Sequence, residues 1–184
     1  MSDLLCQPTA LPGVLLLQPK LYRDPRGFFR ETYHAEKLAA CGVRCAFVQD
    51  NHSLSKKGVL RGLHYQVRQP QGKLVRVVRG EIFDAVVDIR RSSPTFGRAV
   101  WTNISSDNKR MIWVPPGFAH GFMVISDCAE VLYKTTDYYA PEFERTIRWN
   151  DPQIAIPWPL GGMTPTLSKK DQAGAGLREA EVFD

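Results

Sequence analysis

Long hydrophobic runs are missing from this 184-residue chain. The one unbroken apolar stretch near the N-terminus, Val14 to Leu17, lies between Pro12 and Pro19. A secretory core needs roughly 7 to 15 apolar residues and a membrane-crossing helix roughly 20, so the sequence predicts a cytoplasmic protein with no membrane partner. Cysteine is scarce and unpatterned: Cys6, Cys41, Cys45 and Cys128 form no Cys-x-x-Cys pair. That disfavours a zinc site and, in a reducing compartment, predicts free thiols rather than disulfides. No Lys/Arg block, zinc-finger spacing or RNA-recognition pattern occurs, although the net charge is +5. The basic residues are dispersed, which argues against nucleic acid and leaves a solvated basic surface or a basic pocket for a phosphorylated small molecule. Internal repeats and low-complexity linkers are also missing, so residues 1–184 read as a single domain.

What is present is a strand rhythm. From Lys73 onward, short runs rich in Val, Ile and aromatic residues (KLVRVVRG, EIFDAVVDI, AVWTNIS, MIWV, HGFMVIS, AEVLYKTT) alternate with turn segments such as RRSSPTFG and SSDNKR. Such spacing predicts an all-β, antiparallel jelly-roll sandwich or barrel whose lumen offers a ligand pocket. Helical periodicity is confined to HAEKLAACG, stopping at Gly42, and to the segment from Ser168 to Ala180. Arg61, His64, Lys73, Arg76, His120 and Tyr133 interrupt apolar strands, where an unpaired charge is costly to bury. They must face solvent or line a polar cavity.

The densest chemical signal is GVLRGLHYQ, Gly58 to Gln66. Arg61 and His64 are three apart and would point to opposite faces of a regular strand, but Gly62 permits a bulge that turns both inward. His64 is either a general base or a structural histidine bonded to backbone. Pro115, Pro116 and Gly117 turn into a strand that delivers His120, either to a substrate or to turn carbonyls. Tyr133 is either a proton donor or a core tyrosine with its hydroxyl at the surface. Tyr138 and Tyr139 fall at a turn, where an exposed ring can stack on a base. In LSKKD, Ser168 and Asp171 have capping-box spacing; the alternative has Asp171 orienting His64. A metal-holding barrel usually shows two histidines one residue apart and a carboxylate. Here Tyr65 and Gln66 follow His64, and the separated His64 and His120 leave a metal short of ligands. No Gly-rich dinucleotide loop occurs either, so neither metal nor redox cofactor is expected.

Taken in order, DPRGFFRETY, FVQDNHS, GVLRGLHYQ, QGKLVRVVRGEIFDAVVDIR, SPTFG, PPGFAHGF, YKTTDYYAP, WNDPQIAIPWP and LSKKD resemble the dTDP-4-dehydrorhamnose 3,5-epimerase family, cupin-type jelly rolls, over nearly the whole chain. The resemblance implies a cofactor-free isomerase that acts on a dTDP-linked 4-keto sugar. It implies His64 as base, Asp171 as its carboxylate partner, Tyr133 as proton donor on the opposite sugar face, and Lys73 beside the ketone. It implies substrate contacts from Arg26, Phe29, Glu31, Gln49, Asn51, Arg61, His120, Glu144 and Lys170, with Tyr139 stacking near the thymine. It also implies a homodimer exchanging N-terminal strands, so that part of each pocket comes from the partner. Three rivals differ in class: an epimerase acting at one carbon of a related deoxysugar, a non-catalytic anion-binding barrel, and a metal-dependent barrel enzyme such as a dioxygenase.

Overall fold

A computed structural model describes residues 3–184. Its strands are β1 (Leu4–Pro8), β2 (Leu15–Pro19), β3 (Tyr22–Asp24), β4 (Gly27–Phe29), β5 (Gln49–Lys56), β6 (Leu60–Gln66), β7 (Lys73–Arg79), β8 (Glu81–Asp88), β9 (Ala99–Ser105), β10 (Met111–Val114), β11 (Phe118–Val124), β12 (Cys128–Thr135) and β13 (Glu144–Thr146). Two short helices, α1 (Ala35–Ala40) and α2 (Lys169–Gln172), lie outside them. The strands form a six-stranded sheet, β1-β2-β10-β7-β12-β5, a five-stranded sheet, β13-β6-β11-β8-β9, and the separate hairpin β3-β4. Every pairing between these strands is antiparallel, the jelly-roll class expected from the rhythm of the sequence. Among the described residues no helix is long and apolar enough to cross a membrane.

Three apolar clusters explain the arrangement. The first lies between the sheets and joins Val75, Val77 and Val131 to Ile82, Val86, Phe118 and Phe122. The second covers the outer face of the five-stranded sheet, where Phe83, Ala85, Val87 and Ala119 meet Ile154, Ile156, Trp158 and Leu177 from the C-terminal segment. The third sets Leu38 and Val43 from the α1 region against Leu17, Leu74 and Met111. The five-stranded sheet is thus buried on both faces, and β11 has seven buried residues in a row. This is why FAHGFMV reads as a continuous apolar run rather than an alternation.

Two expectations need correction. The segment from Ser168 to Ala180 makes one helical turn and stops, because Ala175 forms a bridge with Ile147. A Cβ on Gly174 would lie 2.9 Å from the Arg148 backbone nitrogen, so glycine is what lets this segment lie against the chain at Arg148. The cysteines are not all free: Cys6 of β1 is bonded to Cys41 at the end of α1, with Cα atoms 6.1 Å apart, while Cys45 and Cys128 remain thiols. Packing of α1 across the sheet brings together two residues 35 apart in sequence, a proximity that spacing alone does not reveal.

Candidate active site

Between the two sheets lies a cavity of about 320 Å³. The six-stranded sheet lines it with Gln49 and Asn51 from β5, Lys73 from β7 and Tyr133 from β12. The five-stranded sheet supplies Arg61 and His64 from β6, His120 from β11 and Glu144 from β13. Tyr139 and Lys170, both exposed, line it as well. On the six-stranded sheet the inward sets follow the two-residue period of their strands. On β7, Lys73 and Val75 face the cavity while Arg76 reaches the opposite face, beside Asp50 and Lys134 in a separate small cavity.

Arg61 and His64 reach the same cavity through an irregular register. Arg61 is opposite Phe122 and His64 is opposite His120, so three steps on β6 match two on β11. The extra residue is a bulge, and glycines make room for it. Gly62 has φ +134°, and a Cβ there would lie 2.5 Å from the Gly121 Cα, so no larger residue fits this crossing without displacing backbone.

His64 Nε2 is hydrogen-bonded to Asp171 Oδ1. The carboxylate is fully engaged. Its Oδ1 also accepts from the Gly62 N–H at 3.4 Å, and its Oδ2 accepts from the Ser168 hydroxyl at 2.7 Å. Ser168 Oγ in turn accepts from the Asp171 N–H at 3.1 Å. Both readings of LSKKD therefore hold together, because the Ser168 cap fixes the backbone that aims Asp171 at the imidazole. Thr166, paired to Val59 beside β6, anchors this segment. Burial would raise the Asp171 pKa, but the His64 and Ser168 bonds outweigh it and hold the group below the usual carboxylate range. Burial also lowers the His64 pKa, opposed by Asp171. A carboxylate only accepts, so Nε2 carries the proton of this pair and Nδ1 is the basic nitrogen.

Across the cavity, burial raises the Tyr133 pKa, with Arg61 opposing, which keeps the phenol protonated. Lys73 Nζ donates to the His64 carbonyl at 3.2 Å, and burial pushes its pKa down to about 8 against the pull of Glu144 and Asp84. It remains mostly an ammonium at neutral pH. Glu144 is clamped by Lys170 at 2.7 Å and the Tyr139 hydroxyl at 2.9 Å; these bonds outweigh burial and keep it ionised. Gln49 links Asn51 and the Tyr139 N–H, joining the edge strand to the exposed ring.

Three residues of the site escaped the sequence reading. Asp84, fully buried on β8, receives His120 Nε2 at 2.8 Å, making a second imidazole–carboxylate pair. Its signal was an acid set inside the apolar run between Glu81 and Asp88 of β8. Ser55 accepts from Arg61 Nε at 3.0 Å and positions that guanidinium. Ser53 lines the cavity with a buried hydroxyl that has no partner among the described residues. Both serines continue the inward period of Gln49 and Asn51.

Arg26, Phe29 and Glu31 are elsewhere. Arg26 forms an exposed pair with Asp24 at 2.5 Å, Phe29 is 70% exposed on β4, and Glu31 bonds Lys37 at 2.9 Å. None lines the cavity of its own chain.

The fold and site define a class: a jelly-roll barrel with a basic, ligand-sized lumen that an imidazole and a phenol line from opposing sheets. Comparison with known proteins narrows it. The model of the dTDP-4-dehydrorhamnose 3,5-epimerase family matches residues 8–179. The epimerase of that name from Pseudomonas aeruginosa is 56% identical over 175 residues, covering 95% of this chain and 96% of its own. That of Salmonella typhimurium is 53% identical, covering 94% of both. A crystal structure from Legionella pneumophila, described as a dTDP-6-deoxy-D-glucose-3,5-epimerase in complex with dTDP-4-keto-L-rhamnose, superposes with a TM-score of 0.94 at 50% identity, covering 97% of this chain and 95% of its own. The chain belongs to the dTDP-4-dehydrorhamnose 3,5-epimerase family.

Proposed function

We propose that this chain converts dTDP-4-dehydro-6-deoxy-D-glucose to dTDP-4-dehydro-L-rhamnose by inverting carbons 3 and 5, in the synthesis of dTDP-L-rhamnose. The observation that carries this reading is the shared cavity of His64, Tyr133 and Lys73, with His64 held by Asp171. A hydrogen on carbon beside a ketone is weakly acidic, and its loss places negative charge on the carbonyl oxygen. His64 Nδ1 takes that proton. The Lys73 ammonium stabilises the enolate oxygen, a kind of contact worth about 3 to 4 kcal/mol in a water-poor site. Tyr133 delivers a proton from the other sheet, and because facing sheets lie about 10 Å apart, a sugar ring fits between the two groups. The new hydrogen arrives on the opposite face and the centre inverts. One ketone flanked by two such carbons permits the step twice. A proton leaves and a proton returns, so the reaction needs no oxidant or reductant and no cofactor.

Arg61 and Lys170 offer guanidinium and ammonium groups for the diphosphate, and the exposed Tyr139 ring offers a stacking face for thymine. In the same reading Arg26, Phe29 and Glu31 serve the cavity of a partner subunit in a homodimer. The exposure of Phe28 and Phe29 on the β3–β4 hairpin supports this. A cytoplasmic location, resting on the sequence alone, belongs to the same proposal. The test is turnover of dTDP-4-dehydro-6-deoxy-D-glucose in deuterated water, read by NMR. Deuterium at both carbons 3 and 5 of the product is expected; label at a single carbon would establish the one-carbon alternative. Mixing His64→Ala with Arg26→Glu subunits tests the exchange, since hybrid dimers regain an intact site only if the hairpin serves its neighbour.

A further inference from the structure

A second cleft, of about 450 Å³, shares no lining residue with the cavity just described. Three arginines line it: Arg91 and Arg98 from the loop after β8, and Arg178 from the C-terminal segment. Gln153 adds an amide. Among the described residues none of the three guanidiniums forms an ion pair, although arginines elsewhere in the chain, such as Arg90 and Arg145, are paired with carboxylates. Like charges gathered in one cleft repel, and no acidic side chain lines it to offset that.

Buried aspartates hold both walls. In the first wall, Asp88 accepts from the Arg90 side chain and N–H, Ser93 and Thr95, while its carbonyl accepts from Gly97 N–H. These bonds fix the turn that presents Arg91 and Arg98. The Arg91 guanidinium lies 6.0 Å from the centre of the Phe96 ring, which restrains it further. In the second wall, Asp151 accepts from the N–H groups of Gln153, Ile154 and Leu177, tying the Gln153 loop to the turn that carries Arg178. Both carboxylates are spent on this internal bonding, at 0% and 5% exposure, and are not free to neutralise the arginines. The backbone supporting the three guanidiniums is therefore set before any ligand arrives, which lowers the ordering cost of binding.

We propose that this cleft is a second anion site that binds a small molecule carrying linked phosphoryl groups. Its volume falls within the range of roughly 300 to 1,000 Å³ usual for small-molecule pockets. Guanidinium forks match phosphate oxygens two at a time, so three of them balance a di- or triphosphate better than a lone carboxylate. The site is independent of the epimerase reading, because its residues take no part in that chemistry.

Calorimetric titration of the full chain with inorganic tripolyphosphate at physiological salt tests it. Arg61→Ala/Lys170→Ala removes the basic groups proposed for the sugar diphosphate and is expected to leave one tripolyphosphate site per chain. In Arg98→Gln/Arg178→Gln that site is expected to weaken about tenfold or more, with sugar turnover unchanged. Arg91→Gln, on the other wall, is expected to weaken it as well. The proposal is overturned if no tripolyphosphate site survives in Arg61→Ala/Lys170→Ala, or if adding either Arg98→Gln/Arg178→Gln or Arg91→Gln to that variant leaves its tripolyphosphate binding unchanged.

Discussion

The two imidazole–carboxylate pairs of this barrel look alike and are built differently. His64 and Asp171 are 107 residues apart and meet because a capped turn folds back beside β6. His120 and Asp84 sit on adjacent strands of one sheet, 36 residues apart, and both are buried. Every oxygen of Asp171 is bonded, and the His64 side chain keeps 22% exposure toward the cavity. Asp84 leaves Oδ1 without a partner among the described residues. A fully bonded carboxylate fixes one tautomer and one ring direction, which suits the base role proposed for His64. In the second pair Asp84 engages the His120 ring through one oxygen only, so it fixes that ring less firmly than Asp171 fixes His64.

The largest expected effect separates the two histidines. His64→Ala should lower kcat by about 10² to 10⁴ with little change in KM. His120→Ala should lower it less, by about tenfold, as expected for a residue that lines the cavity and loses one hydrogen-bonded contact without taking the proton. Equal losses in steady-state assays would erase the distinction. Next, Asp171→Asn should lower kcat by about 10² or more, because the amide no longer enforces a proton on Nε2. Asp84→Asn should cost about tenfold, since one of its oxygens already stands unpaired. A smaller effect is expected with pH. His64 acts only when neutral, so kcat/KM should fall on the acid side as pH drops through a pKa held below 6.5. Lys73 acts only when charged, and its pKa of about 8 should set the alkaline limb, with activity falling as pH rises past it. Lys73→Arg, charged throughout, should lose that limb even at a reduced rate. The smallest effect on turnover should come from the outer layer. Cys6→Ser/Cys41→Ser releases a closure across 35 residues, worth about 3 to 4 kcal/mol. Calorimetry should show Tm lower by roughly 10 °C with kcat unchanged.

Where one sheet face meets solvent or cavity, the sequence was readable. In KLVRVV and AEVLYKT, Lys73 and Tyr133 stood out as polar groups in apolar strands that had to face either solvent or a polar cavity, and the structure turns both to the cavity. Gly62 announced the bulge that reconciles Arg61 with His64, because only a residue without a Cβ tolerates that crossing. Asp84 was overlooked because β8 is covered on both sides, so an acid there stands in a run of apolar residues with no alternation to mark its face. For Arg76 the choice between solvent and a polar cavity stood open, and the structure places it on the face opposite Lys73, beside Asp50 and Lys134. The Cys6–Cys41 bond and the short α2 depend on contacts between distant segments, which propensity and spacing do not encode. Arg26, Phe29 and Glu31 came from family resemblance alone, and their own chain gives them no place in the cavity.

The central claim is that the base and the acid act from opposite sheets, and Tyr133→Phe in deuterated water tests it most directly. The substrate recovered from that variant should carry deuterium beside the ketone, with exchange outrunning inversion, because His64 still removes the proton while its replacement from the other side fails. Inversion at the unmodified rate, or loss of exchange together with inversion, would contradict the account.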